Sequence, residues 1–211
     1  MSSEEIFNGE PVLSFDRDQD RRNFLKWAGL VGVGSTLAVG GFSSVFASAQ
    51  AEDSDLEILN YALTLEYLEA DFYTQGVDSG VVSGRELALI QPIRDHENAH
   101  VEALTATIQE LGGTPVKAPK TKYPNGTFND KATFLKTAST FEELGVTAYH
   151  GQVTLIKSVD ILAAAAAIAG VESRHAAVLA DLTGGNPFPA PVEKTASMKQ
   201  VLAAAKPFIK A

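Results

Sequence analysis

The chain contains no cysteine. That absence excludes disulfides, thiolate zinc sites, iron–sulfur clusters and a cysteine nucleophile, and it suits an oxidising compartment. Charge is missing from one long stretch, Trp27 to Ala49. A basic patch is missing from the rest: past Ala49 there are 20 acidic and 13 basic residues, a net charge of −7. Nucleic acid is therefore not an expected partner. Disorder is not expected either, because 45% of the 211 residues are hydrophobic, an ordinary share for a chain that buries a core. The length suits one domain with appendages.

The first fifty residues differ in kind from the remainder. A polar stretch ends in Asp20-Arg21-Arg22-Asn23-Phe24-Leu25-Lys26, and the uncharged stretch after it closes on Ala47-Ser48-Ala49. Paired arginines followed by Phe and Leu, then an apolar segment and an A-x-A pattern, are the layout of a twin-arginine export signal. The Gly- and Ser-rich, mildly hydrophobic character of the segment agrees with that. An uncleaved membrane anchor is the alternative, since 23 uncharged residues are long enough to span a bilayer. The expected organisation is a signal over 1–49 and one domain over 50–211, with its core at about 53–183. Its expected location is periplasmic or otherwise extracytoplasmic.

Four segments carry the three-and-four spacing of amphipathic helices. They run from about Asp53 to Gln75, Ser83 to Leu111, Lys131 to Ile156 and Asp160 to Leu182. Ser83 with Glu86 three residues on reads as a capping box, and Gly112-Gly113 and Gly184-Gly185 read as stops. Short links inside each pair imply two antiparallel hairpins. The long connection from Gly112 to Asp130 implies a single crossover between them. A further helical stretch, Thr195 to Ala205, is expected on the outside. The fold expected is all-α: a four-helix bundle of two hairpins with a long crossover, plus a short C-terminal helix.

Each apolar seam is interrupted by the same residue types. Glu66 lies between Leu63 and Ala70, Glu97 and His100 between Ile93 and Leu104, Glu142 between Ala138 and Gly145, and Glu172 and His175 between Ile168 and Leu179. A carboxylate on a buried stripe is costly unless an opposite charge meets it. No lysine or arginine occupies these seams, and two divalent cations would neutralise four glutamates. The pattern also repeats: Glu66-x6-Tyr73 is followed by Glu97-x2-His100, and Glu142-x6-Tyr149 by Glu172-x2-His175. Composition alone gives roughly 0.3 occurrences of either motif. One glutamate from each of two helices and a Glu-x-x-His pair from each of the other two is the ligand arrangement of di-iron and di-manganese carboxylate bundles.

On these motifs the chain resembles the ferritin-like superfamily, of the rubrerythrin and bacterioferritin type. The phrases Leu65-Glu66-Tyr67-Leu68-Glu69-Ala70, Glu142-Glu143-Leu144-Gly145-Val146-Thr147-Ala148-Tyr149 and Glu172-Ser173-Arg174-His175-Ala176-Ala177 are similar to the exported, desiccation-related ferritin-like proteins. The resemblance implies Glu66, Glu97, His100, Glu142, Glu172 and His175 as metal ligands, the central glutamates bridging. It implies Tyr73 and Tyr149 as hydrogen-bond donors to ligand carboxylates. The rubredoxin-type cysteine site of rubrerythrins is absent, so no iron–sulfur relay is implied.

The same residues have plainer readings. The six could form a polar network without metal, and the two tyrosines could be ordinary core aromatics. Glu69 and Glu143 flank the expected ligands and read as solvated or supporting groups, with ligation by either, Glu69 above all, left open because carboxylate-rich sites recruit neighbours. His96 and His150, about 100° round their helices from the seam, read as surface histidines. Arg174 reads as outward-facing and paired with an acid, and Ala163 to Ala167 as a close-packing helix face. Three functions follow: redox chemistry of two iron or manganese ions with oxygen or peroxide in stress protection, a non-enzymatic desiccation protein, or iron storage. Oxygen and imidazole donors without thiolate favour iron or manganese. Expected partners are metal ions, oxygen or peroxide, the twin-arginine machinery and, as an open point, a second copy of the chain.

Overall fold

Apolar spacing and local caps divide the chain into five α-helices over residues 53–210, which are those described by the computed structural model. The expected export segment, 1–49, lies outside the described residues. Helix α1 spans Asp53–Ser79, α2 Gly84–Glu110, α3 Lys131–Gln152, α4 Val159–Thr183 and α5 Met198–Ala205, with a 3-10 turn at Lys206–Phe208. No strand forms among the described residues; Thr121 and Ile209 make one isolated antiparallel bridge. Helix α1 packs chiefly on α2 and α3 chiefly on α4. The architecture is the expected bundle of two hairpins.

Side-chain chemistry sets most of the helix starts. The Asp130 carboxylate accepts from Thr133 N at 2.8 Å to open α3, and Ser158 does the same for Ile161 N in α4. Ser197 and Gln200 form a capping box at α5, supplying partners to amides that the helix leaves unpaired. Ser83 departs from the expectation. It occupies the cap position of α2, but its side chain makes no capping bond. The Glu86 carboxylate that would complete the box is taken instead by Lys131 Nζ at 2.6 Å. At the end of α4, Gly184 adopts φ +74° and Gly185 N–H returns to Ala180 O at 2.7 Å, a left-handed stop that glycine takes without strain.

Two boundaries move for reasons of packing. Helix α1 runs a turn beyond Gln75, and Phe134 packs on the added turn at Gly76, where a Cβ would overlap the ring. Phe134 in turn stacks on Phe72 with centroids 4.9 Å apart, and Tyr73, Tyr123 and Phe141 meet Phe72 edge-on. Full burial of such a ring stabilises by about 1.5–3 kcal/mol. Helix α3 stops at Gln152 instead of Ile156, with Gly151 in its last turn, where a Cβ would overlap Ala196 O. Asp55, fully buried on α1, accepts from Lys157 N at 3.0 Å and Ser158 N at 2.8 Å and so fixes the turn between α3 and α4.

The crossover is tied down along its length. Asn60 Oδ1 accepts from Val116 N at 2.7 Å, and Asp71 Oδ2 accepts from both Thr121 Oγ1 and Tyr123 OH at 2.7 Å. Its far end pairs with the C-terminal tail through Lys122 N to Phe208 O at 2.9 Å and Lys210 N to Lys120 O at 2.8 Å. Helix α5 lies against α3 with Val201 and Ala205 fully buried. Ala163 to Ala167 depart from the expected close-packed face, being half-buried or exposed. Helix α4 leans mainly on α3, so that part of it has one neighbour and an open side.

Candidate metal centre

Helical spacing brings six side chains to one level of the bundle interior. On α1 and α3 the motif residues lie seven apart, so Glu66 and Tyr73, like Glu142 and Tyr149, share a face. On α2 and α4 the three-residue step places Glu97 with His100 and Glu172 with His175. All four glutamates are 0% exposed and both histidines 4%. The six form two groups of four whose donor atoms lie within 4.8 Å of one another: Glu66, Glu97, His100 and Glu172, and Glu97, Glu142, Glu172 and His175. Glu97 and Glu172 belong to both.

The distances show a cluster with donors to spare. His100 Nδ1 lies 3.2 Å from Glu66 Oε2, 3.3 Å from Glu97 Oε2 and 3.4 Å from Glu172 Oε1. His175 Nδ1 lies 2.9 Å from Glu97 Oε1 and 3.3 Å from Glu142 Oε2, yet neither approach is aligned as a hydrogen bond. Glu97 Oε1, Glu142 Oε2, both Glu172 oxygens and His175 Nδ1 are buried with no hydrogen-bond partner. Buried acceptors left open in this way cost stability unless something fills them. The tyrosines act across the halves: Tyr73 OH donates to Glu142 Oε1 at 2.5 Å, and Tyr149 OH donates to Glu66 Oε1.

Burial sets the proton affinities. It pushes the Glu66 carboxyl up to about 7, against the pull of His100. Burial raises Glu142 too, opposed by His175. Burial and then neighbouring glutamates hold Glu172 and Glu69 well above the usual carboxylate range. Glu97 goes the other way: burial pushes it up, but His100 and His175 together hold it below the usual range. Burial would lower both histidines, but Glu66 and Glu97 hold His100 well above its ordinary value, and Glu142 with Glu97 holds His175 at about 9. Burial also raises both tyrosines, which keeps them protonated as donors. Without a cation the cluster holds protons; with one it could release them.

Three residues set aside by the sequence reading stand differently. Glu69 is 3% exposed, with Oε1 unpartnered and Glu172 as its strongest charged neighbour. It adds a fifth carboxylate, and the signal was present: Glu66-x2-Glu69 has the same step as the two Glu-x2-His pairs. His96 is half-buried, not a surface residue, because its Nδ1 lies 2.9 Å from His175 Nε2 across the α2–α4 interface. His150 is half-buried as well, held by Val146 O at 2.8 Å. Glu143 is exposed as expected, and Arg174 is exposed but makes no ion pair among the described residues. That leaves the expected acid for Arg174 unfound.

The cluster can hold metal ions, and the relatives agree with the fold. The chain shares 14% identity with a solved structure, "Crystal structure of hypothetical protein MJ0754 from Methanococcus jannaschii DSM 2661". That match covers 82% of this chain and 98% of the other, with a TM-score of 0.53. At that identity it supports the bundle alone. No curated protein matches the chain. Residues 54–185, more than half of the sequence and all four long helices of the bundle, match the family described as ferritin-like domain. With its two hairpins and its buried glutamate–histidine cluster, the chain belongs to that ferritin-like family.

Proposed function

We propose that this is an exported ferritin-like protein that holds two iron or two manganese ions between Glu66, Glu97, His100, Glu142, Glu172 and His175, and uses them in redox chemistry with oxygen or peroxide during stress. One observation carries the reading: two buried donor groups share Glu97 and Glu172, and five of their donor atoms have no hydrogen-bond partner. The fit is chemical as well. The charged partners found for these glutamates are two histidines, so four carboxylates remain under-compensated until cations arrive. Carboxylate and imidazole donors without thiolate suit iron or manganese. A redox-active pair bound there would supply electrons and Lewis acidity for the reduction of oxygen or peroxide.

The chain's own residues do the rest. Tyr73 and Tyr149 hold one oxygen of Glu142 and Glu66 and leave the other, Oε2, facing the histidines. Glu69, buried beside Glu172 with Oε1 unpartnered, adds a fifth carboxylate next to the donor set. The aromatic cluster around Phe72 walls off one end of the seam from water.

The test is metal stoichiometry. Native protein should carry two iron or manganese ions per chain by elemental analysis. Glu97→Ala combined with Glu172→Ala should carry none while keeping its helix content by circular dichroism. Two ions retained by the double variant would sink the assignment. Export has its own test. Changing Arg21 and Arg22 to lysine should leave the precursor in the cytoplasm, because the export receptor reads the pair. Normal export of that variant would mean the segment serves as an ordinary signal or an anchor.

A further inference from the structure

The two halves of the site are not equivalent, and the difference lies behind the histidines. Each histidine turns Nδ1 toward the glutamates: His100 toward Glu66, Glu97 and Glu172, His175 toward Glu97 and Glu142. Each therefore turns Nε2 away from the cluster. Behind His175, His96 Nδ1 stands 2.9 Å from Nε2, and the two rings lie nearly parallel at 12°, with centroids 5.2 Å apart. Behind His100 no hydrogen bond to Nε2 forms among the described residues. The repeat shows why. His96 directly precedes Glu97 on α2, and the residue in that register on α4, directly before Glu172, is Val171, which has no side-chain acceptor.

A histidine that ligates through Nδ1 must carry its proton on Nε2, and an acceptor at Nε2 fixes both that tautomer and the ring's orientation. His175 has such an acceptor and His100 does not. We propose that His96 is a positioning residue which makes the metal position at His175 the tighter of the two, so that the pair fills in order, His175 side first. The inference rests on the two-ion reading above and adds to it a sequence of loading.

The experiment titrates the metal-free full chain with Mn(II), following uptake by calorimetry and by electron paramagnetic resonance. An isolated Mn(II) and a coupled pair give different resonance spectra. The native chain should bind in two resolved steps, an isolated-ion spectrum preceding the coupled one. His96→Leu removes the acceptor at similar size and should weaken the tighter step by about 10–100-fold, leaving the other unchanged. The two steps should then merge. In His96→Asn the amide oxygen stands near the place of Nδ1, and this variant should restore the separation. Native protein that takes up two Mn(II) ions, beside a His96→Leu variant with both steps unaltered, would overturn the loading order and leave the two-ion reading standing. Equal weakening of both steps, or no rescue by His96→Asn, would also overturn it, by making His96 a packing residue. Native protein that binds no Mn(II) would overturn both.

Discussion

Alanine in place of Gly145 is expected to lower Mn(II) affinity by about 100-fold, the upper end for a disturbed ligand shell, with the fold intact. Glycine inside a helix costs about 1 kcal/mol relative to alanine, so its presence in the middle of α3 asks for a cause. A Cβ at Gly145 would overlap Glu172 Oε2, with Glu172 Cδ at 3.4 Å and Glu69 Oε1 at 3.5 Å. The obstructing atom is the end of a flexible side chain. Glu172 can swing aside, so folding survives; what is lost is the direction of two oxygens that both lack a hydrogen-bond partner. Gly170 in α4 provides the control, because a Cβ there meets nothing within 4 Å. Gly170→Ala should gain up to about 1 kcal/mol of stability and bind Mn(II) as before. Calorimetric titration and circular dichroism of the two variants decide the matter. Native affinity in Gly145→Ala would mean that the position of Glu172 does not govern binding.

Metal should stabilise the protein more at high pH than at low. Glu66, at about 7 when folded, and Glu69, Glu142 and Glu172 all sit above their unfolded values, as do His100 and His175, the last at about 9. A raised folded value gives stability that is fully present below the unfolded value and lost as pH rises through the folded one. For Glu66 that loss runs from 4.5 to about 7, and for His175 from 6.5 to about 9. Glu97, lowered, acts oppositely: its contribution is present above 4.5 and lost as pH falls. The raised groups outnumber it. Metal-free protein should therefore lose stability steadily between about pH 5 and pH 9, the range in which these shifted carboxyl and imidazole groups titrate. Cations displace the same protons, so the gap in Tm between loaded and metal-free protein should widen over that range. At free metal about 1,000 times Kd the gain is about 4 kcal/mol, or about 8–16 °C for a chain of this size. Thermal unfolding of both forms measures it, and a gap that stays constant with pH would show that the cluster is not a proton-linked metal site.

How much of this was legible in the sequence depended on how local each feature is. The four long helices and the six clustered residues were legible because period 3.6 places Glu66, Glu97, Glu142 and Glu172 on apolar stripes and the motifs repeat. Glu69 was legible in its three-residue step from Glu66 but was outweighed by the commoner solvated reading. His96 was not: its angle on α2 points away from that helix's own seam, and only the approach of α4 supplies His175. The end of α3 was not legible either, since Asp55, about a hundred residues earlier, fixes it. The Ser83 box failed for the same kind of reason, when Lys131 claimed Glu86.

The hydrogen bonds of the two tyrosines cross the repeat: the tyrosine of the first hairpin serves the glutamate of the second, and the reverse. Neither hairpin alone can satisfy its own Glu-x6-Tyr pair. Two identical copies of one hairpin, set about a twofold axis, would make both bonds by symmetry, as a self-complementary dimer does. Joining the copies in one chain removes the obligation to match. One half is then free to carry glycine where the other carries Glu69, and valine where the other carries His96. A symmetric pair of hairpins would offer two like positions; the fused chain offers two unlike ones.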